Sequence, residues 1–165
     1  MSPALLAKSL YDRDLDLWVL ETINQLKARN FELVDLENLI EELAGLSGRD
    51  RRELESRIAT LLEHLLKRCY VPSPYDYNGW QETIERTRFE ISRILKQSPS
   101  LRRYAEQPEL FAELYAFALR ILRKNSDYKN VLFPNESQFG QSLADLLTVN
   151  FWEKDQGKNY QLPNS

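Results

Sequence analysis

The segment that decides the fold lies between Asp35 and Lys67 and reads DLENLIEELAGLSGRDRRELESRIATLLEHLLK. Its leucines and isoleucines recur every three or four residues, with glutamates and arginines between them. This is the period of an amphipathic α-helix, because residues three and four apart lie on the same face of a helix. The segment therefore predicts helices, and it also contains the only histidine of the chain, His64.

The whole chain has the composition of a helical protein. Of its 165 residues, 42% are hydrophobic and 28% are charged, whereas only five are glycine and seven are proline. Strands would need more β-branched residues and more frequent turn residues. A chain of this length can bury one core and is short for two. We expect an all-α, single-domain bundle of about five to six helices over residues 1–153, followed by a polar C-terminal tail over residues 154–165.

The apolar pattern places three helices in the first seventy residues. The first is expected over residues 4–29, and the second begins at Asp35, a good N-cap residue. Gly45 and Gly48 suggest a turn before a third helix over residues 49–70. A continuous helix is the alternative, because each glycine costs only about 1 kcal/mol in a helix. The residues expected to face inward are Tyr11, Leu15, Trp18, Val19, Thr22, Ile23, Leu26, Leu36, Leu39, Ile40, Leu43, Leu54, Ile58, Leu61, Leu62, Leu65, Leu66 and Cys69.

Three longer helices and one short helical piece are predicted in the second half. A helix over residues 80–97 is followed by a short piece over residues 101–104. Pro108, a favoured first helical residue, starts a long helix through about Lys124, and Asn135 or Ser137 caps the last one. The residues expected to face inward are Ile84, Thr87, Phe89, Ile91, Ile94, Leu95, Leu110, Phe111, Leu114, Phe117, Ala118, Ile121, Phe139, Leu143, Leu146 and Leu147.

Cysteine content and charge limit the compartment and the partners. Cys69 is the only cysteine, so no internal disulfide can form and a reducing compartment is expected. The N-terminus lacks the features of a signal peptide, and no apolar run reaches the roughly 18 residues that cross a bilayer. We therefore expect a cytoplasmic protein that does not enter membranes. The net charge of −3 argues against nucleic acid as a partner. The charge is unevenly distributed, because residues 1–46 alone carry nine acids and four bases.

Several short segments also carry a family resemblance. They are Leu10-Tyr11-Asp12-Arg13-Asp14 with Trp18, Asp35-Leu36-Glu37-Asn38-Leu39-Ile40-Glu41-Glu42-Leu43, Arg52-Glu53-Leu54, Leu61-Leu62-Glu63-His64-Leu65-Leu66-Lys67, Trp80 with Ile84, and Ser98-Pro99-Ser100-Leu101. In this order and spacing, over roughly residues 9–153, they resemble the bacterial family catalogued as domain of unknown function 29. The resemblance implies a small all-helical bundle with no assigned activity.

A small set of polar residues is the candidate site. Glu37 and Glu41 are four residues apart and share a helix face, and Asp14 lies beside the apolar stripe of the first helix. His64 lies at the edge of the apolar face of its own helix. Because buried polar groups need hydrogen-bond partners, we predict that Asp14, Glu37, Glu41 and His64 form a buried or half-buried structural network between helices.

The alternative is a small enzyme or metal-binding protein that uses Asp14, Glu41 and His64 in a cleft between helices. A ferritin-like two-metal site is excluded, because it needs two Glu-x-x-His pairs and the single histidine is preceded at that spacing by Leu61. No serine or cysteine nucleophile in a recognisable motif accompanies His64. No glycine-rich phosphate loop is present either, so no cofactor is predicted. An open pocket lined by His64 and Glu41 would favour the enzyme.

Two further patterns bear on binding. Residues 43–54 resemble a helix-turn-helix. This alignment, however, puts Glu41 where a small residue must pack and Arg51 where an apolar residue must be buried. The aromatic residues are expected to be core anchors or loop packing, with a protein interface as the functional alternative; they are Trp18, Trp80, Trp152, Tyr75, Tyr77 and Tyr128. We therefore expect an interaction or regulatory module that binds a protein partner or itself.

Overall fold

The computed structural model describes residues 10–140 and 142–153, and over these residues the protein is all-α. Six α-helices have both ends in this part of the chain, and no strand occurs in it. The all-α prediction is confirmed, whereas the predicted tail over residues 154–165 lies outside the described residues. The elements are α1 (Leu15–Lys27), a 3-10 turn (Phe31–Leu33), α2 (Leu36–Tyr70), α3 (Tyr77–Gln97), α4 (Leu101–Ala105), α5 (Pro108–Lys124), a second 3-10 turn (Ser126–Tyr128) and α6 (Leu143–Thr148).

The chain divides into two compact units, with the boundary between Arg49 and Asp50 inside α2. The first unit contains α1, the first 3-10 turn and the beginning of α2. The second contains the rest of α2 and the helices that follow it. None of the helices in the described ranges has both the length and the apolar character needed to cross a membrane. That residues 1–153 form one domain stays a prediction.

The first predicted helix is interrupted at Asp14. This residue has an extended backbone, with φ −152° and ψ 91°, and its carboxylate accepts a hydrogen bond of 3.0 Å from the backbone N–H of Leu17. Asp14 therefore caps α1, and the expectation of one unbroken helix over residues 4–29 is wrong at this point. Residues 10–13 are helical, and residues 4–9 lie outside the described residues. At the other end of α1, Arg29 has a left-handed φ of 59° and begins the turn toward α2.

Helix α2 does not turn at its glycines. It runs without interruption for 35 residues, so the predicted turn at Gly45 and Gly48 is wrong and the alternative of a continuous helix is confirmed. A Cβ atom at Gly45 would meet nothing within 4 Å, which shows that no close approach requires the glycine. Its cost of about 1 kcal/mol is small beside the burial gained by the second half of the helix. The helix-turn-helix alternative over residues 43–54 is wrong for the same reason.

The second unit has the larger core. From Leu54 to Leu66, the leucines and isoleucines of α2 that were predicted to face inward are all buried, and they pack with apolar residues of α3, α5, α6 and the segment after α5. The residues of α2 in this core are Leu54, Ile58, Ala59, Leu61, Leu62, Leu65 and Leu66. Cys69, which was also predicted to face inward, is partly buried and packs against this core.

Some predictions for the later helices need correction. Phe89 of α3 and Phe117 and Ile121 of α5 are exposed, although they were expected to face inward. In α5 the buried face instead includes Tyr115, Leu119 and Leu122. This helix has apolar residues on more than half of its circumference, so periodicity alone cannot choose the buried side. The last helix begins later than expected, because the hydroxyl of Ser142 caps α6, and not Asn135 or Ser137.

Candidate functional site

The predicted polar residues are divided between the two units. Asp14, Glu37 and Glu41 belong to the first unit, and all three are exposed. His64 belongs to the second unit and is half-buried. A network containing all four would have to join the units, and it stays a prediction.

The environment of His64 is set by its own helix. Its Nδ1 atom lies 2.9 Å from the backbone carbonyl oxygen of Thr60, one turn earlier in α2. A carbonyl oxygen can only accept a hydrogen bond, so Nδ1 carries the proton and Nε2 is the atom left for other chemistry. Burial lowers the pKa of His64 below its ordinary value, with the positive charge of Lys67 acting in the same direction, and outweighs the opposing effects of the hydrogen bond to Thr60 and the charge of Glu63. The imidazole is therefore neutral near neutral pH.

The metal-binding and catalytic alternatives gain no support from this geometry. Within residues 10–140 and 142–153, no three His, Cys, Asp or Glu side chains are grouped so that they could hold a metal ion. Burial raises the pKa of the Cys69 thiol to about 12, so this sulfur is a poor nucleophile. A centre built from Asp14, Glu41 and His64 thus has only the sequence pattern in its favour.

A groove of about 420 Å³ lies in the second unit, between α5 and the segment that leads into α6. Apolar side chains such as Phe111, Leu119 and Leu143 line most of it, with Glu136 and Ser137 among its few polar residues. His64 is not among the lining residues. The groove therefore does not provide the open, titratable pocket that would favour an enzyme.

Arg88 is the buried charge that sequence analysis missed. It is only 6% exposed, and its guanidinium donates hydrogen bonds to the carbonyl oxygens of Leu146 and Val149 and to Oδ1 of Asn150. A salt bridge of 2.8 Å to Glu85 completes its contacts. Its burial could have been predicted from its position in the sequence, because residue 88 lies four residues after Ile84 and three before Ile91, on the buried face of the helix. Its contacts are all within the protein, so Arg88 holds α6 and the residues that follow it against α3.

The most unusual surface belongs to the first unit. Two stripes of large aliphatic side chains, each on one helix face, are between 37% and 64% exposed. We call them together the exposed apolar surface. Its members are Leu15, Val19, Ile23 and Leu26 of α1 and Leu36, Ile40, Leu43 and Leu46 of α2.

The exposed apolar surface reverses the sequence expectation for this unit. Seven of its eight residues were predicted to face inward, and Leu46 is the exception. The helical period on which that prediction was based is correct. Among the apolar residues described in this unit, only Trp18 and Val34 are buried. The prediction is confirmed for Trp18 and Thr22, whereas Tyr11 and Leu39 are half-buried. It is wrong for the seven predicted residues of the exposed apolar surface, because an amphipathic pattern identifies a face and cannot show whether anything covers it.

Comparison with known proteins identifies the family. The model of the family described as "Domain of unknown function DUF29" matches residues 10–152. This chain belongs to the DUF29 family. The resemblance seen in the sequence is thus confirmed, and the match spans both units of the DUF29 chain. No curated protein and no solved structure matches it. The family name assigns no activity, so function must be argued from the surfaces of this DUF29 protein itself.

The aromatic residues of this DUF29 chain mostly pack within it, as expected. Trp18 is buried, and its ring contacts Tyr11 edge-on at 4.9 Å between centroids. Trp152 is half-buried, and the guanidinium of Arg68 lies 5.2 Å from its ring centroid and 4.0 Å from that of Tyr77. Trp80 and Tyr128 are half-buried and pack against the core of the second unit. Tyr75 differs, because it is almost entirely exposed.

Proposed function

We propose that this DUF29 protein is a cytoplasmic protein-interaction module whose first unit binds a partner protein through the exposed apolar surface. The observation that supports this proposal is the exposure of the eight large aliphatic side chains that form the two stripes of this unit. Large apolar patches on soluble proteins commonly mark sites of interaction. The cytoplasmic assignment rests on the lone cysteine, Cys69, which has no disulfide partner in the chain.

The energetics of the first unit favour a covering partner. Its described buried side chains are Trp18, Thr22, Val34 and Asp35, two of which are polar. A unit of this size must bury apolar surface to offset the loss of conformational entropy on folding. Completing the burial of a half-exposed leucine or isoleucine contributes about 1 kcal/mol. Eight such side chains therefore provide a substantial driving force for association, from which the cost of association must be subtracted.

Catalysis has less support in the described residues. The one histidine is bonded to its own helix, and the one cysteine has a raised pKa. The acids Asp14, Glu37 and Glu41 of the first unit are exposed. Interaction is therefore the function that the geometry supports best.

Site-specific crosslinking in cells tests the proposal. A benzophenone side chain is introduced at position 40, in the exposed apolar surface, or at position 132 as the control, where Leu132 of the second unit is at least as exposed as Ile40. We expect position 40 to capture a discrete protein that position 132 does not capture. After mass spectrometry identifies it, the complex is reconstituted from purified proteins and its Kd is measured.

The reconstituted complex gives the decisive comparison. Ile40→Ser should weaken binding at least tenfold without lowering the melting temperature, because Ile40 is 64% exposed in the free protein. Leu132→Ser should leave the Kd unchanged. Equal crosslinking from both positions, or an unchanged Kd for Ile40→Ser, would overturn the proposal.

A further inference from the structure

We infer that the occupant of the exposed apolar surface is a basic amphipathic helix of another protein. This inference rests on the proposed function and specifies the partner. It is carried by the shape of the two stripes and by the charges beside them.

The spacing of the exposed side chains fits a helical partner. In α1 the stripe runs from Leu15 to Leu26, and in α2 it runs from Leu36 to Leu46. At a rise of 1.5 Å per residue, each stripe is roughly 15 Å long, which equals about three helical turns. A partner helix of about a dozen residues, with apolar anchors three and four apart, matches that length.

The two stripes belong to one helical hairpin. The hydroxyl of Tyr11, just before α1, donates a hydrogen bond of 2.8 Å to the carboxylate of Glu42 in α2. The other end of α1 is connected to α2 by the short segment of residues 28–35. The two helices therefore run in opposite directions, as the helices of an antiparallel pair do. The two stripes therefore belong to neighbouring helices of one unit.

The charges beside the stripes are predominantly negative. Exposed Asp16 follows Leu15 in α1, and exposed Glu41 follows Ile40 in α2. Residues 1–46 carry nine acids and four bases, so the net charge of this part of the chain is −5. A partner helix with lysine or arginine beside its apolar residues would place opposite charges along the rim of the interface, where they favour association and specificity.

The same charges disfavour other occupants. A second copy of the hairpin would bring two acidic rims together, and like charges across an interface are costly. Anionic membranes and nucleic acids carry the same sign as the rim and are repelled for the same reason. A neutral apolar segment would fill the stripes but would leave the acids without complementary charge.

Peptide binding to the full-length protein tests the inference. The probes are three synthetic, fluorescently labelled 14-residue peptides. The first has leucines on one helical face and lysines beside them, the second has glutamate in place of every lysine, and the third is a scrambled sequence of the first. Fluorescence anisotropy gives each Kd at about 50 and 300 mM NaCl, across the range in which surface charges become screened.

The expected result is a ranking with a salt dependence. The lysine peptide should bind at least tenfold more tightly than either other peptide, and its affinity should fall as salt rises. Ile40→Ser should weaken this binding at least tenfold, whereas Leu132→Ser should not change it. Glu41→Lys should weaken binding of the lysine peptide several-fold and should strengthen binding of the glutamate peptide.

The other outcomes separate the two proposals. Equal affinity for the lysine and glutamate peptides, with loss of both in Ile40→Ser, would overturn the basic partner and leave the apolar docking site in place. Binding of the lysine peptide that is insensitive to Ile40→Ser would overturn both proposals. Sedimentation as a dimer that Ile40→Ser converts to a monomer would identify a second copy as the occupant and overturn this inference.

Discussion

Nε of Arg88 in α3 donates a hydrogen bond of 3.0 Å to the backbone carbonyl oxygen of Leu146 in α6, 58 residues further along the chain. The last carbonyl groups of a helix have no donors within the helix, and α6 is only six residues long. The guanidinium also donates to the carbonyl oxygen of Val149. Arg88 therefore supplies donors that the end of α6 lacks and attaches this helix to α3.

Replacement of Arg88 by methionine should destabilise the second unit. The variant keeps much of the side-chain volume but leaves the carbonyl groups of Leu146 and Val149 without their donors. We expect the free energy of unfolding to fall by about 3 kcal/mol, as for the loss of buried hydrogen bonds to a charged group. Urea unfolding of the full chain measures the change. Arg86→Met, at an exposed position of the same helix, is the control and should change stability by less than about 0.5 kcal/mol.

Replacement of Gly45 by alanine should stabilise the protein. The glycine lies inside α2, and a Cβ atom there would meet no other atom within 4 Å. Alanine in a helix is favoured over glycine by about 0.5 to 1 kcal/mol. Thermal unfolding measures the gain. Gly140→Ala is the contrasting variant and should destabilise, because its Cβ would overlap the side chain of Asp145. A loss of stability in Gly45→Ala would contradict a continuous helix at this position.

The stability of the protein should decrease below about pH 6.5 in part because of His64. Burial lowers the pKa of His64 in the folded protein below its ordinary value of 6.5. As the pH falls through 6.5, the unfolded chain binds a proton that the folded protein does not, so acid favours unfolding. Melting temperatures between pH 7.5 and 5.5 measure the effect. His64→Gln should lose less stability than the unsubstituted protein over this range. Equal losses would contradict a lowered pKa of His64 as a cause of the acid sensitivity.

Cys69 should react slowly with thiol reagents in the folded protein. Burial raises its pKa to about 12, and the thiolate is the reactive form. At pH 8 we expect the reaction to be roughly a thousandfold slower than in the urea-unfolded chain, where the thiol has its ordinary pKa. A colorimetric disulfide reagent follows the rate, and Cys69→Ser is the blank. Similar rates with and without urea would show that the sulfur is accessible in the folded state.

Local sequence patterns were enough for most of the helices. The period of the leucines predicted the buried face of α2 from Leu54 to Leu66, and Pro108 marked the start of α5. Both signals act within a few residues of the chain, since they depend on helix geometry and on the missing N–H of proline. Asp14 shows the limit of such patterns. A long apolar period extends across it, but its backbone is extended and its side chain caps the start of a new helix at Leu15.

The amino-acid sequence by itself determined that the chain is helical and which residues share each helix face, because both follow from the period of its apolar residues. Its charge distribution also gave residues 1–46 an excess of acids over bases. Only the tertiary structure decided which faces are covered. It left the stripes of Leu15 and Ile40 exposed and buried Arg88 against the end of α6. These outcomes depend on contacts between residues far apart in the chain, and no local pattern specifies such contacts.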